Sequence, residues 1–425
     1  MIIRNASVLV DGRPTEAALA ACVAEHLGRT ERWERLRGYY EGRHAVRNRQ
    51  RSSGLPNNRL VHGFPRYIST MAAGYLIGDP VRYLADGAGQ RAALEPVLRA
   101  YALSAIDSVD AELARDASVL GRGVELVYAD ERAEPRSAAL DPMEAFVVYD
   151  DSVAARPLFG VRLGLLRDAN GRPTGWGVDV YTDTYRRYYE VSDLERLPRQ
   201  QPLNEERHFF GGVPLVEYWN DEDERGDFEG VLSLIDAYDA LESDRVNDKQ
   251  QFVDALLLLY GCTLETDERG RSPGQQLRED KALVLPDSEA RAEWLYKQLN
   301  EADTEVLKNA LKADIHKMSM VPDLTDEQFA GNASGVAMRY KLLGLEQLTK
   351  IKERWFREGL RARLRLYAYF LQLKGAPRLD ADAVKMVFSR ALPVNELEAA
   401  QVVEKLKGIV PDEELLAKAG FAGEK

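Results

Sequence analysis

The sequence predicts an α+β protein whose mixed helix-and-sheet first half is followed by a second half of long helices. In residues 1–228, stretches with apolar side chains at three- and four-residue steps alternate with short extended runs bounded by turns. Residues 229–260 and 336–373 contain no proline, and apolar side chains recur in them at helical spacing. An acidic run at 220–227 marks the predicted boundary between the halves.

The composition indicates a globular protein that needs no disulfides and does not bind DNA in the usual way. Of its 425 residues 45% are hydrophobic, and Cys22 and Cys262 are too few for a disulfide framework. The net charge of −12 would repel nucleic acid. It still suits a protein that lets DNA pass, because a basic lining would adhere to the phosphates. No signal peptide or membrane span is predicted.

Helices and strands of the first half are predicted from periodicity and turn residues. Helices are expected at 16–40 and 65–77, a helical stretch that turns extended at 92–127, and strands at 81–85, 146–149, 158–166, 178–181 and 187–191. The polar stretch 43–58 carries Arg43, Arg47, Arg49 and Arg51. Contact with phosphate and a solvated arm are both open for these arginines.

The middle of the helix predicted over 229–260 is unusually polar. Residues 242–251 contain one apolar side chain, that of Val246. A long helix with a polar middle is a poor core element for a single globule, but it suits a stave packed against polar neighbours in an assembly. An ordinary surface helix is the alternative.

Residues 261–299 are predicted to form a small module that projects between two helices. Turn residues surround a strand at 282–285, a helical stretch begins at Glu289, and helix resumes over 301–318. The tip of such an insertion is a natural docking site.

A polar loop is predicted directly before the longest helix. Residues 321–335 are rich in acidic residues and glycine, and helix follows over 336–373. Within it, residues 350–365 hold seven Lys or Arg and two Glu, for which we expect a solvated face or salt bridges to a neighbouring subunit. Short helices are predicted at 396–406 and 412–419.

The usual signatures of catalysis are missing from the sequence. There is no Walker loop, no CxxC and no HExxH, and the five histidines have no metal-ligand spacing. Gly87-Ala88-Gly89-Gln90-Arg91-Ala92 fits the G-x-G-x-x-A loop that cradles a pyrophosphate, but Pro96 falls inside the helix that should follow. We expect no enzyme, no metal and no cofactor, with a cytosolic dinucleotide-binding enzyme that uses Gly87 to Ala92 as an alternative.

Several short segments occur in the same order as in one known family. They are YYEG at 39–42, PNNRLVH at 56–62, GYLIGDP at 74–80, FGGVP at 210–214, LIDAYD at 234–239 and SGVA at 334–337. Taken together, from about residue 31 to residue 370, they resemble the portal (head-to-tail connector) proteins of long-tailed double-stranded-DNA bacteriophages.

The resemblance implies the phage portal fold, with a mixed α/β wing, long stem helices, a small α/β clip, a tunnel loop, a long helix behind it and a helical crown. The implied boundaries are 1–228 for the N-terminal and wing region, 229–260 and 300–318 for the stem helices, 261–299 for the clip, 319–335 for the tunnel loop, 336–373 for the long wing/crown helix and 374–425 for the crown and C-terminal tail.

The resemblance also implies a homo-oligomeric ring, typically a dodecamer, at one vertex of the virion capsid. Double-stranded DNA would pass through it, and the ring would assemble in the bacterial host cytoplasm. Its implied partners are the terminase large subunit, a head-completion or adaptor protein, and the major capsid and scaffolding proteins. A ring-forming scaffold protein unrelated to DNA is a further alternative.

Two sets of site residues follow from the resemblance. The residues expected to face or approach DNA are Asp323, Thr325, Asp326, Gln328 and Asn332 of the tunnel loop. The clip residues expected to face the terminase or adaptor are Arg269, Arg271, Gln275, Arg278 and Lys281.

Overall fold

Two units of the chain can be distinguished in the computed structural model. The structure describes residues 1–52, 55–252, 256–260, 266, 271–272, 275, 291–295, 301–324 and 340–390. The larger unit is made of Met1–Gly42, Gly63–Leu232 and His316–Lys425, and the smaller unit of Arg43–His62 and Ser233–Ile315. The strand predicted at 282–285 and the helices predicted at 396–406 and 412–419 lie outside the described residues.

Helices occur in both halves of the chain, and they make up most of the described residues of the second half. Within the described residues they are α1 (Glu16–Leu27), α2 (Thr30–Tyr40), α3 (Phe64–Ile77), α4 (Ala88–Leu103), α5 (Ile106–Leu120), α6 (Leu232–Phe252), α7 (Glu301–Ser319) and α8 (Leu343–Leu373), with 3-10 turns at Ala6–Val8, Ala45–Asn48, Leu194–Arg199 and Glu229–Val231.

The strands lie mainly in the first half. They are β1 (Ile2–Arg4), β2 (Leu9–Val10), β3 (Arg13–Pro14), β4 (Arg82–Leu84), β5 (Arg122–Ala129), β6 (Pro135–Leu140), β7 (Ala145–Asp150), β8 (Pro157–Arg167), β9 (Pro173–Tyr181), β10 (Tyr185–Val191), β11 (Asn204–Arg207), β12 (Leu215–Trp219), β13 (Leu256–Tyr260), β14 (Arg291–Leu295) and β15 (Lys385–Val387). Every strand predicted in the first half is present. Outside residues 253–299, the sequence reading missed β1, β2, β3, β6, β11, β12 and β15.

Two sheets organise the larger unit. One has six strands in the order β1-β7-β8-β9-β10-β11, and the other has three in the order β12-β5-β6. In the first sheet β1 pairs with β7 in parallel, whereas the remaining neighbours are antiparallel. Together with the helices, these sheets make the chain an α+β protein.

One hydrophobic core cluster of the larger unit is centred on α8. The apolar face of this helix repeats at helical steps and is formed by Phe356, Leu360, Leu364, Tyr367 and Leu371, all buried. It packs against α3, α4 and β12. At Gly359 the approach to β12 is so close that a Cβ atom would collide with the ring of Tyr218.

The helix predicted over 16–40 is in fact two helices. Helix α1 ends at Gly28, whose backbone N–H donates to the carbonyl of Ala24, and α2 begins at Thr30. Glycine is a weak helix former, which favours a break between the two helices at Gly28. The predicted helix at 65–77 is confirmed as α3, with Pro65 in its first turn where its missing N–H costs nothing.

The single helix predicted over 229–260 is wrong at its C-terminal end. Helix α6 ends at Phe252, and residues 256–260 form β13, which pairs antiparallel with β14. A run of apolar residues as short as LLLLY fits a buried strand as well as a helix, so periodicity alone does not separate the two. The helical stretch predicted from Glu289 is also wrong, because Arg291–Leu295 is the partner strand β14.

The remaining helices of the second half agree with the prediction. The helix expected over 301–318 is α7, which is one residue longer at its C-terminal end. The helix expected over 336–373 is confirmed from Leu343 to Leu373, and residues 336–339 lie outside the described residues.

Candidate functional site

The predicted channel residues lie in and after residues 320–324, which follow α7. Asp323 is half-buried there. The other four predicted channel residues, Thr325, Asp326, Gln328 and Asn332, lie outside the described residues.

Tyr67 on α3 holds the chain that leads into the predicted loop. Its hydroxyl donates to the carbonyl of Pro322 at 2.7 Å and accepts from the backbone N–H of Leu324 at 3.0 Å. The intervening peptide groups are therefore fixed on both sides of Asp323. Nothing in the sequence of α3 indicated this role for Tyr67.

A second contact holds the same stretch from the side of α7. His316 donates its Nδ1–H to the carbonyl of Val321 at 2.9 Å, and the Val321 side chain is fully buried. The His316 ring has edge-on contacts with Phe64 and Tyr67, with ring centres 5.8 and 5.6 Å apart. Aromatic rings favour this perpendicular arrangement.

The described chain returns close to where it left. A Cβ atom built on Gly344 would lie 3.5 Å from the carbonyl oxygen of Met320, and both Leu342 and Leu345 are buried. Residues 320 and 344 thus lie next to each other, one shortly after α7 and the other at the start of α8.

The predicted clip residues are described only in part. Gln275 accepts a hydrogen bond from the backbone N–H of Ser272 at 2.9 Å through its side-chain oxygen. Arg271 also takes part in a non-covalent interaction. The remaining clip residues, Arg269, Arg278 and Lys281, lie outside the described residues.

The polar middle of α6 is covered by the chain's own arm, Arg43–His62. Asp239, Ser243 and Asn247 stand four residues apart on one helix face and are all fully buried. Three backbone N–H groups of the arm donate to them in antiparallel order: Asn58 to Asn247 Oδ1 at 2.6 Å, Leu60 to Ser243 Oγ at 3.0 Å, and His62 to Asp239 Oδ1 at 2.9 Å. The arm thus supplies donors to one oxygen of each of the three side chains, whereas the buried Nδ2 of Asn247 has no partner among the described residues.

Asp239 is the most heavily bonded residue of that face. His44 donates to its Oδ2 at 2.6 Å and His62 to its Oδ1 at 2.8 Å. Burial alone would raise the pKa of Asp239, but the hydrogen bonds from His44 and His62 outweigh it and lower the pKa below its usual value. The carboxylate therefore stays ionised and keeps the arm on the helix.

Two of the five arginines in the arm are paired within the smaller unit. Arg49 forms an ion pair with Asp244 on α6 at 2.9 Å, and Arg51 pairs with the other oxygen of the same carboxylate. These two side chains help to hold the arm on α6.

The basic stripe predicted on α8 is only partly a solvated face. Lys352 is buried and pairs with Asp227, and Arg363 is buried between Asp110, at 2.6 Å, and Glu125, at 2.7 Å. For Lys352 and Arg363, the expectation of solvent or a neighbouring subunit is wrong. Long-range partners from the first half neutralise them, which no pattern within α8 reveals.

The same ion cluster contains a strongly perturbed acid. Burial raises the pKa of Asp110 to about 6, although the neighbouring Arg363 opposes the shift. The hydroxyl of Tyr218 donates to Glu125 at 2.5 Å. The cluster connects α5, β5, β12 and α8 through hydrogen bonds and ion pairs, so its role is structural.

A second buried ion cluster, also missed at the sequence level, lies around Arg122. It pairs with Glu217 at 2.9 Å and stacks over the ring of Trp33 at 4.3 Å. His26 donates its Nε2–H to the carbonyl of Met143 at 2.8 Å and accepts from Arg122 at 3.3 Å. Burial first, and the charge of Arg122 second, lower the pKa of His26 to about 3.

The glycine loop at 87–92 does not have the surroundings of a dinucleotide site. Gly87 starts α4 with φ of 81°, as a strand-to-helix turn requires, and α4 runs through Pro96 despite the expectation that this proline would disrupt it. Strand β4 before it pairs antiparallel with β15 in a two-stranded sheet. A dinucleotide-binding unit needs parallel strands in one sheet, so the fold does not support the enzyme alternative.

Neither a membrane-spanning helix nor a metal site is found among the described residues. None of the helices described there combines the length and apolar character that crossing a bilayer requires. In the same part of the chain, no three His, Cys, Asp or Glu side chains come together in a way that suits a metal ion.

Sequence comparison identifies relatives that agree with the resemblance. A family model described as "Phage portal protein, SPP1 Gp6-like" matches residues 19–424. The portal protein of Bacillus phage SPP1 is 26% identical over 382 residues, which are 86% of this chain and 73% of that protein. The portal protein of Clostridium phage phiCD119 is 27% identical over 246 residues, covering 56% of this chain and 52% of that protein.

Structure comparison finds chains from gene transfer agent (GTA) particles. A chain from the neck of an empty GTA particle matches with a TM-score of 0.48 and 13% identity, covering 85% of this chain and 91% of that chain. A chain from the virion of a native GTA particle matches with a TM-score of 0.45 and 12% identity, covering 85% and 90% respectively.

Proposed function

This chain belongs to the phage portal protein family, and we propose that it is the subunit of a ring-shaped channel at one capsid vertex, through which double-stranded DNA is packaged and later ejected. The observation that carries the proposal is the family match, which takes in residues 19–424 and so nearly the whole chain. Portal proteins are structural components, and the role proposed for this chain is that of a DNA conduit rather than an enzyme.

The proposed channel is a property of the assembly. One chain cannot surround a DNA duplex, whereas a head-to-tail interface that closes by rotation makes a ring with a central hole. The ring is proposed to be a dodecamer. Because each copy carries a net charge of −12, a strongly acidic ring would let DNA slide rather than adhere.

We assign the DNA-facing role to the tunnel loop, residues 319–335. Asp323, Thr325, Asp326, Gln328 and Asn332 are the side chains proposed to approach DNA. The proximity of Met320 and Gly344 supports this assignment, because it places the described residues before and after the loop next to each other.

We assign the docking role to the clip, residues 261–299. The pair β13 and β14 supports this, because antiparallel strands bring residues 260 and 291 together at the start and end of the intervening chain. Arg269, Arg271, Gln275, Arg278 and Lys281 are proposed to meet the terminase large subunit, which would supply ATP hydrolysis. A head-completion or adaptor protein would then replace it.

The remaining assignments follow the same scheme. The two stem helices are proposed to be α6 and α7, with the first now ending at Phe252. The wing is proposed for residues 1–228, the long wing/crown helix for α8 and the crown for residues 374–425. Contacts with major capsid and scaffolding proteins would hold the ring in the virion, after assembly in the host cytoplasm.

Replacing residues 325–332 tests the channel assignment. A Gly/Ser segment of equal length removes the side chains of Thr325, Asp326, Gln328 and Asn332 but leaves the length of the chain unchanged. We expect rings of normal appearance in electron micrographs and a severalfold lower yield of DNA-filled particles. The matched control is a Gly/Ser replacement of the exposed turn at 168–171 in the wing. Normal DNA filling with the first variant would remove the channel role.

A further inference from the structure

Residues 320–324 have neither helical nor strand structure, yet their course is closely fixed. Met320 adopts a positive φ of 59°, which turns the chain sharply at the end of α7. The next residue, Val321, is fully buried. A non-glycine residue keeps this conformation only where its surroundings hold it, so further contacts must define the path.

The contacts of Tyr67 supply that definition. The phenol bonds to backbone on both sides of Asp323, donating to Pro322 and accepting from Leu324. Pro322 has no N–H of its own, so its carbonyl is the only backbone group of that residue that can form a hydrogen bond. Both bonds come from one side-chain oxygen, which makes the hydroxyl a single removable anchor.

We propose that Tyr67 is the positioning residue of the tunnel loop: its hydroxyl fixes the direction in which the chain leaves α7, and thereby where the loop residues meet DNA. This inference rests on the proposed function. His316 assists from the other side by holding Val321, with its ring set against those of Phe64 and Tyr67. Tyr67 acts through the loop and does not itself touch DNA.

The substitution Tyr67→Phe removes the anchor and keeps the ring in place. Loss of two hydrogen bonds frees the backbone N–H of Leu324, so we expect its hydrogen–deuterium exchange to rise by about tenfold. The free energy of global unfolding and the assembly of oligomeric rings should match the wild type, because the aromatic contact with His316 remains. The yield of DNA-filled particles should fall severalfold. A purely structural tyrosine would not separate these readouts in this way.

Tyr188→Phe is the matched control. Its hydroxyl donates to Glu190 at 3.0 Å on the exposed part of β10, far along the chain from the loop. This variant should leave both the exchange of Leu324 and DNA filling unchanged. If Tyr67→Phe did not form rings, His316→Phe would provide the second test, because it removes only the bond to Val321 and retains an aromatic ring. A severalfold loss of DNA filling in rings of normal appearance is then expected.

The outcomes separate this inference from the proposed function. If the Gly/Ser loop impairs filling while both Tyr67→Phe and His316→Phe fill normally, the loop functions but the anchor does not position it. Unchanged hydrogen–deuterium exchange of the Leu324 N–H in Tyr67→Phe would likewise contradict the positioning role of Tyr67. Normal filling with the Gly/Ser loop would instead overturn the channel role itself.

Discussion

Arg363 shows how strongly single side chains tie the two halves of the sequence together. Its guanidinium is fully buried on α8 and is shared between Asp110 on α5 and Glu125 on β5. Taking three charges out of water is costly, and mutual attraction with good hydrogen-bond geometry is what offsets that cost. The cluster should therefore be far more sensitive to the loss of one member than an exposed ion pair.

Replacing Arg363 by Met tests this sensitivity. The variant leaves two carboxylates buried without their counter-charge, so we expect a loss of about 3–5 kcal/mol in the free energy of unfolding, measured by urea denaturation. Arg365→Met is the control on the same helix, because Arg365 pairs with Asp382 in an exposed position. That control should cost less than about 1 kcal/mol. Equal losses in the free energy of unfolding for the two substitutions would contradict the structural role of the buried Arg363 cluster.

His26 makes a pH-dependent contribution to stability. Its pKa is lowered from 6.5 to about 3, chiefly by burial, so the native state stays neutral while the unfolded state takes up a proton below about pH 6.5. This part of the stability is present above that pH and is lost as the pH falls towards 3. Between about pH 7 and pH 5 the loss should be about 2 kcal/mol.

The variant His26→Gln isolates that contribution. Glutamine can still donate to Met143 and accept from Arg122, but it does not titrate. Urea denaturation at both pH values should show that the wild type loses about 2 kcal/mol more than the variant. The contribution assigned to His26 is wrong if both proteins lose the same amount.

The partners of these buried side chains could not be predicted from the sequence. The basic stripe of α8 was visible as seven positive charges within 350–365, but partners such as Asp110 and Glu125 lie more than two hundred positions away. Tyr67 is a comparable case, because one tyrosine among the apolar residues of a helix predicts a core position as well as a hydrogen bond. Pairing at this distance is decided by the tertiary fold.

At the scale of elements, the arm and α6 form an unusual ladder. Backbone N–H groups at alternate residues of an irregular segment donate to side chains spaced four apart on a helix, because both steps cover a similar distance. An extended segment that is bonded in this way should behave like an edge strand in exchange experiments, although it belongs to no sheet.

The ladder predicts a selective effect of Ser243→Ala. The backbone N–H groups of Asn58, Leu60 and His62 should all exchange slowly in the wild type. In Ser243→Ala only Leu60 loses its acceptor, so its exchange should rise by about tenfold while Asn58 and His62 change little. Lys249→Ala, at an exposed position on the same helix, should change none of them. Fast exchange of all three in the wild type would rule out the ladder.

Elements with a clear period were predicted well, and those without one were not. Helices α3, α7 and α8 and the longer strands agree with the sequence reading because their apolar spacing leaves one interpretation. The end of α6 was missed because the LLLLY run fits two structures. Its polar middle was taken to indicate a neighbouring subunit, whereas the covering residues come from Arg43–His62.

At the scale of the whole molecule, the case for a portal rests on family membership rather than on the polar middle of α6. The family match spans residues 19–424, and the order of short segments had already indicated the same family. The candidate channel and clip residues were predicted by resemblance and stay predictions, and the contacts of Tyr67, His316 and Gly344 concern only the described chain beside the first set.

Electron microscopy of the purified chain, alone and in DNA-filled particles, tests the central claim most directly. The account predicts closed rings of identical subunits with a central channel wide enough for duplex DNA, and one such ring at a single vertex of each particle. Monomers that persist under assembly conditions, together with filled particles that lack the chain, would contradict it.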